Sequence, residues 1–163
     1  MKGHEKVAYL GSILKRVGNF NMDSFENRLI FQKTVYLIEV FVGVNLDCGK
    51  FSWYKRGPYS PDLTKIGYDL KDSYRDLIPS RFVDEKVESR FKEFLQFIGE
   101  KKDDQQYLEL LASMHWLKHQ NPDLEDDTIS QYLMETKPQI DLSLYDEAWA
   151  SLRKYGLVDG GRT

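Results

Sequence analysis

The chain has a single cysteine, Cys48, so it can form no intramolecular disulfide and offers no thiolate cluster to hold zinc. Uninterrupted apolar stretches are missing too. The longest, from Leu29 to Val44, is broken by Gln32, Lys33 and Glu39, which excludes a transmembrane span and argues against a membrane partner. The opening MKGHEKVAYL carries charge and then an amphipathic pattern, without a continuous apolar core before a small-residue cleavage site. No export is expected, and a reducing cytoplasm is the expected location. A positive charge balance is also lacking: the formal net charge is -3 and the pI is near 5.7, so the whole chain does not attract phosphate backbones. Any contact with nucleic acid has to come from a local patch.

The motifs of common enzyme chemistries are likewise absent. Neither Gly-x-x-x-x-Gly-Lys-Ser/Thr nor Gly-x-Gly-x-x-Gly occurs, and there is no Gly-x-Ser-x-Gly elbow. His115 and His119 stand four apart on an expected helix, yet Trp116 occupies the position where a zinc protease carries glutamate, and no third ligand is apparent. Cys48 follows Asp47 with no neighbouring histidine to activate it. Asp126-Asp127 and Asp146-Glu147 sit at helix starts, where carboxylates complement the helix dipole. The expectation is therefore no catalytic residue, no cofactor and no bound metal.

What the chain does have is enough apolar material for one core: 163 residues, 41% hydrophobic, with a mean hydropathy of -0.55. Residues 1–159 read as one mainly α, compact multi-helix domain, and residues 160–163 as a flexible tail. Val7, Leu10, Leu14 and Val17 form one stripe of a first helix, His4 to Val17, ended by Gly18-Asn19. A second, capped by Asp23 or Ser24 and stopped by Gly43, leaves almost no polar face from Leu29 to Phe41, the pattern of a helix surrounded by protein. Ser60, Pro61 and Asp62 agree on the start of a third, as N-cap, first helical residue and first-turn acid. Further helices are expected from Glu85 to Ile98, Gln105 to His119, Thr128 to Thr136, and Leu144 to Tyr155. Ser143 is expected to cap the last, and Gly156-Leu157 to end it in a Schellman motif.

Two places stand out as candidate sites. Gln32 and Lys33 are adjacent long polar side chains on an otherwise apolar helix, with Tyr36 one turn on; each needs a partner or a route to water. They either stitch their helix to the Trp53 to Ser60 segment through a loop carbonyl or touch a ligand directly. The second place is Phe51-Ser-Trp53-Tyr54-Lys55-Arg56-Gly57-Pro58-Tyr59-Ser60. Its clustered aromatics favour a short β-ribbon or wing near residues 50–57, which Gly57-Pro58 is expected to close as a turn. Aromatic faces beside Lys55 and Arg56 suit stacking on bases or an aromatic-rich protein interface; the alternative is that Trp53 and Tyr59 are core and only the two cations are exposed.

Together, Ile30-Phe-Gln32-Lys33-Thr-Val-Tyr36-Leu37 followed by Phe51-Ser-Trp53-Tyr54 and Gly57-Pro58-Tyr59-Ser60-Pro-Asp-Leu63 resembles the Panacea domain family, which includes SocA-like antitoxins, GepA-like phage-associated proteins and YwgA-like proteins. The resemblance spans Phe25 to Leu70. It implies a compact helical fold with a small β element and a non-catalytic role, in which a neighbouring toxin protein is neutralised or, in one subgroup, presented for proteolysis. The motif positions are Gln32, Lys33, Tyr36, Trp53, Gly57, Pro58, Tyr59 and Ser60. A rival reading takes Asp127 to Leu157 as a helix-turn-helix or winged-helix DNA-binding regulator, with Arg153 and Lys154 as the available phosphate contacts.

Overall fold

Residues 3–159 are described by the computed structural model, and the tail expected at 160–163 lies outside them. The fold is mainly α, with one two-stranded antiparallel ribbon. At its centre lies α2 (Phe25–Ile38), buried at every position from Leu29 to Ile38. Its main neighbour is α5 (Gln105–Gln120), buried without interruption from Tyr107 to His115. Two helices without a solvent face need cover on all sides. That cover comes from α1 (Gly3–Val17), α3 (Pro61–Ser73), α4 (Glu85–Ile98), α6 (Asp126–Thr136), α7 (Leu144–Lys154) and the ribbon β1 (Ser52–Tyr54) with β2 (Gly57–Tyr59). One hydrophobic cluster runs through all of the helices. No helix among the described residues is long and apolar enough to cross a membrane.

The helix ends follow local chemistry. The Ser24 hydroxyl accepts from the Asn27 amide, that of Ser60 from Leu63, and the Asp84 and Asp104 carboxylates cap α4 and α5. At the end of α7, Gly156 has φ 78°, its amide donates to Arg153 and that of Leu157 to Leu152, the two bonds of a Schellman motif. Ser143 departs from expectation, because its side chain makes no capping bond. The Leu144 amide already donates to the Asp141 carbonyl and that of Tyr145 to Leu142, so the chain turns helically before Ser143 and leaves it in αR. After Ile38, α2 continues as one π-helical turn, Glu39–Gly43. Beyond that turn the Glu39 carboxylate accepts from the Leu46 amide and the Cys48 thiol, and burial pushes that thiol's pKa up.

The ribbon also differs from expectation in its turn. Tyr54 pairs with Gly57, so Lys55 and Arg56 form the turn, and Gly57-Pro58 belong to β2. Gly57, at φ 92°, follows the turn in a conformation that favours glycine. A Cβ there would also stand 2.6 Å from the Ser113 hydroxyl, so no other residue fits without displacement. β2 packs on both α2 and α5, making the ribbon part of the cover over the two central helices.

One ion pair ties α1 to α4. Both Arg16 Nη atoms donate to the Glu88 carboxylate at 2.6 Å, and the Phe82 amide donates to Glu88 Oε1 at 3.0 Å. Glu88 is 1% exposed, and these donors hold its pKa down at about 2, the Arg16 hydrogen bonds contributing most. Glu88→Gln should therefore cost about 3 kcal/mol at pH 7, as breaking a buried pair does. Because the folded pKa is depressed, the contribution is complete above the ordinary carboxylate range and is lost as pH falls toward 2. Urea unfolding at pH 7, 4 and 2.5 should show the two proteins converging as the pH falls.

Candidate functional site

The polar pair on α2 turns inward beneath the ribbon. Gln32 Nε2 donates to the Ser60 carbonyl at 2.8 Å and to Thr64 Oγ1 at 2.9 Å, while Gln32 Oε1 accepts from the Ser60 amide at 2.9 Å. Lys33 Nζ donates to the Pro58 carbonyl at 2.6 Å. The stitching of this helix to the Trp53 to Ser60 segment is thus made by both side chains. A second lysine does the same from the far end of the chain: Lys137 Nζ donates to the Lys55 carbonyl at 2.8 Å and to Glu109 Oε2 at 2.9 Å. Glu109 Oε1 in turn accepts from Gln105 Nε2 at 2.6 Å. Two ammonium groups therefore hold the two sides of the turn, at exposures of 0% for Lys33 and 2% for Lys137.

Burial is the leading electrostatic effect on Lys33. Desolvation lowers its pKa, the Glu109 carboxylate opposes this and the nearby Lys137 adds to it, and together they leave the pKa at about 7. The Ser113 hydroxyl, facing Gly57, is buried without a hydrogen-bond partner. On the next turn of α2, the Tyr36 hydroxyl is 2.7 Å from His115 Nδ1, and burial drives the pKa of His115 down to about 4. His115 is neutral at physiological pH. Its ring stacks on His119 with centroids 5.7 Å apart, and no group of three or more His, Cys, Asp or Glu able to hold a metal forms among the described residues.

The outer face of the ribbon is different in kind. Tyr54 is exposed and meets the half-buried Tyr59 edge-on, with ring centroids 5.1 Å apart. The Tyr59 hydroxyl shares a 2.7 Å hydrogen bond with Thr64. Arg56 lays its guanidinium 5.7 Å from the centre of the Phe25 ring. Phe25 and Tyr68 are exposed at 55% and 47%, so this face carries large apolar rings in water. Between them is a hollow of about 90 Å³, walled by Met22, Phe25, Leu29, Phe31, Tyr59 and Tyr68.

The residues singled out from the sequence thus divide by layer. Gln32, Lys33, Tyr36, Gly57, Pro58 and Ser60 are buried and shape the support, Gln32 also lining the floor of the hollow. Trp53, Arg56 and Tyr59 are half-buried, with Lys137 Nζ 5.5 Å from the centre of the Trp53 ring, and Tyr54 and Lys55 are exposed. Phe25 and Tyr68 were missed, although helical spacing sets Tyr68 off the buried stripe Leu63, Ile66 and Leu70. Glu109 was missed as well. A lone carboxylate inside Tyr107 to Leu111 is the same signal as Lys33 inside α2.

The cations of the rival reading sit apart from this face. The Arg153 guanidinium is ion-paired with Asp126, and Lys154 Nζ lies 5.5 Å from the Tyr155 ring centre. Residues 137–143 separate α6 from α7, a longer connection than the 3–4-residue turn typical of a helix-turn-helix. No protein-family model, curated protein or solved structure matches the chain.

The pKa of Lys33 makes stability depend on pH in a defined direction. With the folded pKa at about 7 and the ordinary lysine value at 10.5, the unfolded chain binds more protons between these limits, so stability rises with pH across them. The slope reaches about 1.4 kcal/mol per pH unit. Lys33→Met should remove that rise, which urea unfolding of both proteins at pH 6, 8 and 9.5 measures.

Proposed function

We propose that this chain is a non-catalytic binding module of the Panacea kind, which captures a protein partner in the cytoplasm and acts as a toxin-neutralising antitoxin or as an adaptor. The observation that carries the reading is the outer face of the ribbon. It joins Tyr54, Tyr59, Phe25 and Tyr68 to the cations Lys55 and Arg56; aromatic residues and arginine are enriched at protein interfaces, and tyrosine and arginine are among the types that carry most of their energy. The buried lysines beneath it support the same reading, because a surface already held in shape loses little conformational entropy on binding. The motif shared with the Panacea family gains a physical meaning: Gln32, Lys33, Gly57, Pro58 and Ser60 are the parts that seat the ribbon, and the partner meets what the ribbon displays.

The test exploits the fact that Lys137 holds the backbone carbonyl of Lys55, not its side chain. Lys55→Ser with Arg56→Ser should leave the clamp intact and change stability by only about 0.5 kcal/mol. The same double variant should lose at least about tenfold in affinity for a toxin encoded beside the gene, read by co-purification and by rescue of growth. Unchanged rescue would sink the reading. Sequence-selective binding to the gene's own upstream DNA, steep in salt and abolished by Arg153→Ala with Lys154→Ala, would replace it with the DNA-binding alternative.

A further inference from the structure

The hollow beside the ribbon has a size, a lining and a charge that together specify an occupant. Its uncharged polar lining groups are already engaged: Thr64 Oγ1 accepts from Gln32 and shares a hydrogen bond with the Tyr59 hydroxyl, and Gln32 spends its amide on Ser60 and Thr64. What remains toward solvent is hydrocarbon and ring surface from Met22, Phe25, Leu29 and Tyr68, which rewards an apolar group. Size narrows the choice further. An enclosed cavity of about 150 Å³ accommodates benzene, so a hollow of about 90 Å³ is matched better by a branched aliphatic side chain than by a flat aromatic ring.

The charge in its lining is positive. Arg28 is the one charged residue in the lining, and its Nη1 donates to the Met22 carbonyl. Arg56 lies over Phe25, with Lys55 next to it on the turn, and among the described residues none of the three is in an ion pair, while the exposed Asp23 faces Lys71 at 4.0 Å. Glu26, on the first turn of α2, does not line the hollow. Arg28 in the lining and Arg56 over Phe25, neither paired with a carboxylate among the described residues, with Lys55 adjacent to Arg56 on the turn, are complementary to an acidic segment.

We infer that this hollow anchors a leucine or isoleucine side chain of a partner segment whose flanking residues are aspartate or glutamate, with Arg28, Lys55 and Arg56 meeting the carboxylates. The inference rests on the protein-binding reading above and names the chemistry of the partner. It separates the two parts of the contact: the hollow selects the anchor's shape, and the rim selects the charge around it.

Four fluorescein-labelled nine-residue peptides test it against the full chain by fluorescence anisotropy. They carry a central leucine, alanine or phenylalanine between aspartate and glutamate flanks, or a central leucine between lysine flanks. The acidic leucine peptide should saturate. Alanine or phenylalanine at the centre should each weaken binding about tenfold or more, the fold-change expected from a buried leucine side chain, and the lysine-flanked peptide should not bind. Phe25→Ala and Arg28→Gln should each weaken the leucine peptide with the melting temperature unchanged for the exposed Phe25. Amide NMR shifts on titration should centre on Phe25, Tyr59 and Tyr68. Equal binding of the four peptides, no saturation of the acidic leucine peptide at about 1 mM, or shifts centred elsewhere would overturn the inference. If toxin neutralisation still depends on Lys55 and Arg56 in that event, the protein-binding reading stands without this pocket. If it does not, both fall.

Discussion

Two buried ammonium groups holding two carbonyl oxygens are the constraint around which this fold is arranged. A hairpin of three-residue strands is too short to be stable alone, and its inward carbonyls need donors once water is excluded. Lys33 and Lys137 supply them, at Pro58 and Lys55, from segments far apart in the sequence. The burial of two cations would cost several kcal/mol each if nothing compensated it. Each is relieved differently. Lys137 has the Glu109 carboxylate at 2.9 Å, while Lys33, with its pKa lowered to about 7, can shed its proton and still donate an N–H as a neutral amine.

From that seat the rest of the site follows in order. Once Pro58 is fixed, Ser60 arrives beside Gln32, which holds both its amide and its carbonyl, and the Ser60 hydroxyl is left to cap α3 and to donate to the Cys48 carbonyl. α3 therefore begins at a set place and direction. That brings Thr64 under Tyr59 and Tyr68 opposite Phe25, closing the hollow. A polar residue at 1% exposure on the central helix thus sets the position of an exposed surface from beneath it.

Legibility in the sequence tracked the range of the interaction. Caps and stops at Ser24, Ser60 and Gly156 depend on residues within one turn, and they were readable; the Asp84 cap of α4 is equally local and was not singled out. The misplaced ribbon turn was a local error of another kind. Gly-Pro reads as a turn by composition, but Gly57 was needed for its positive φ and its approach to Ser113, one step after the turn itself. Gln32 and Lys33 announced that they needed partners, because an apolar helix cannot absorb them otherwise. Their partners on the ribbon could be reasoned toward. Lys137 could not, since it lies in an irregular stretch before Pro138 and finds Lys55 and Glu109 only through the tertiary fold. Phe25 and Tyr68 were missed for the same reason, being unremarkable surface residues until α2 and α3 bring them to one hollow.

A hairpin seated only by apolar contacts would be free to slide, because hydrocarbon contacts are not directional. The two lysines remove that freedom. Moving the chain by one residue would turn each side chain of the ribbon to the opposite face and withdraw both carbonyls from their donors at once. Lys33 and Lys137 would then be buried without acceptors on the ribbon, Lys137 keeping only Glu109, and Gly57 would be replaced over Ser113 by a residue with a Cβ. Each penalty acts against the same slip, so the ribbon has one register. Tyr54, Lys55, Arg56 and Tyr59 are consequently presented in one arrangement, and the surface they make is as fixed as the core beneath it.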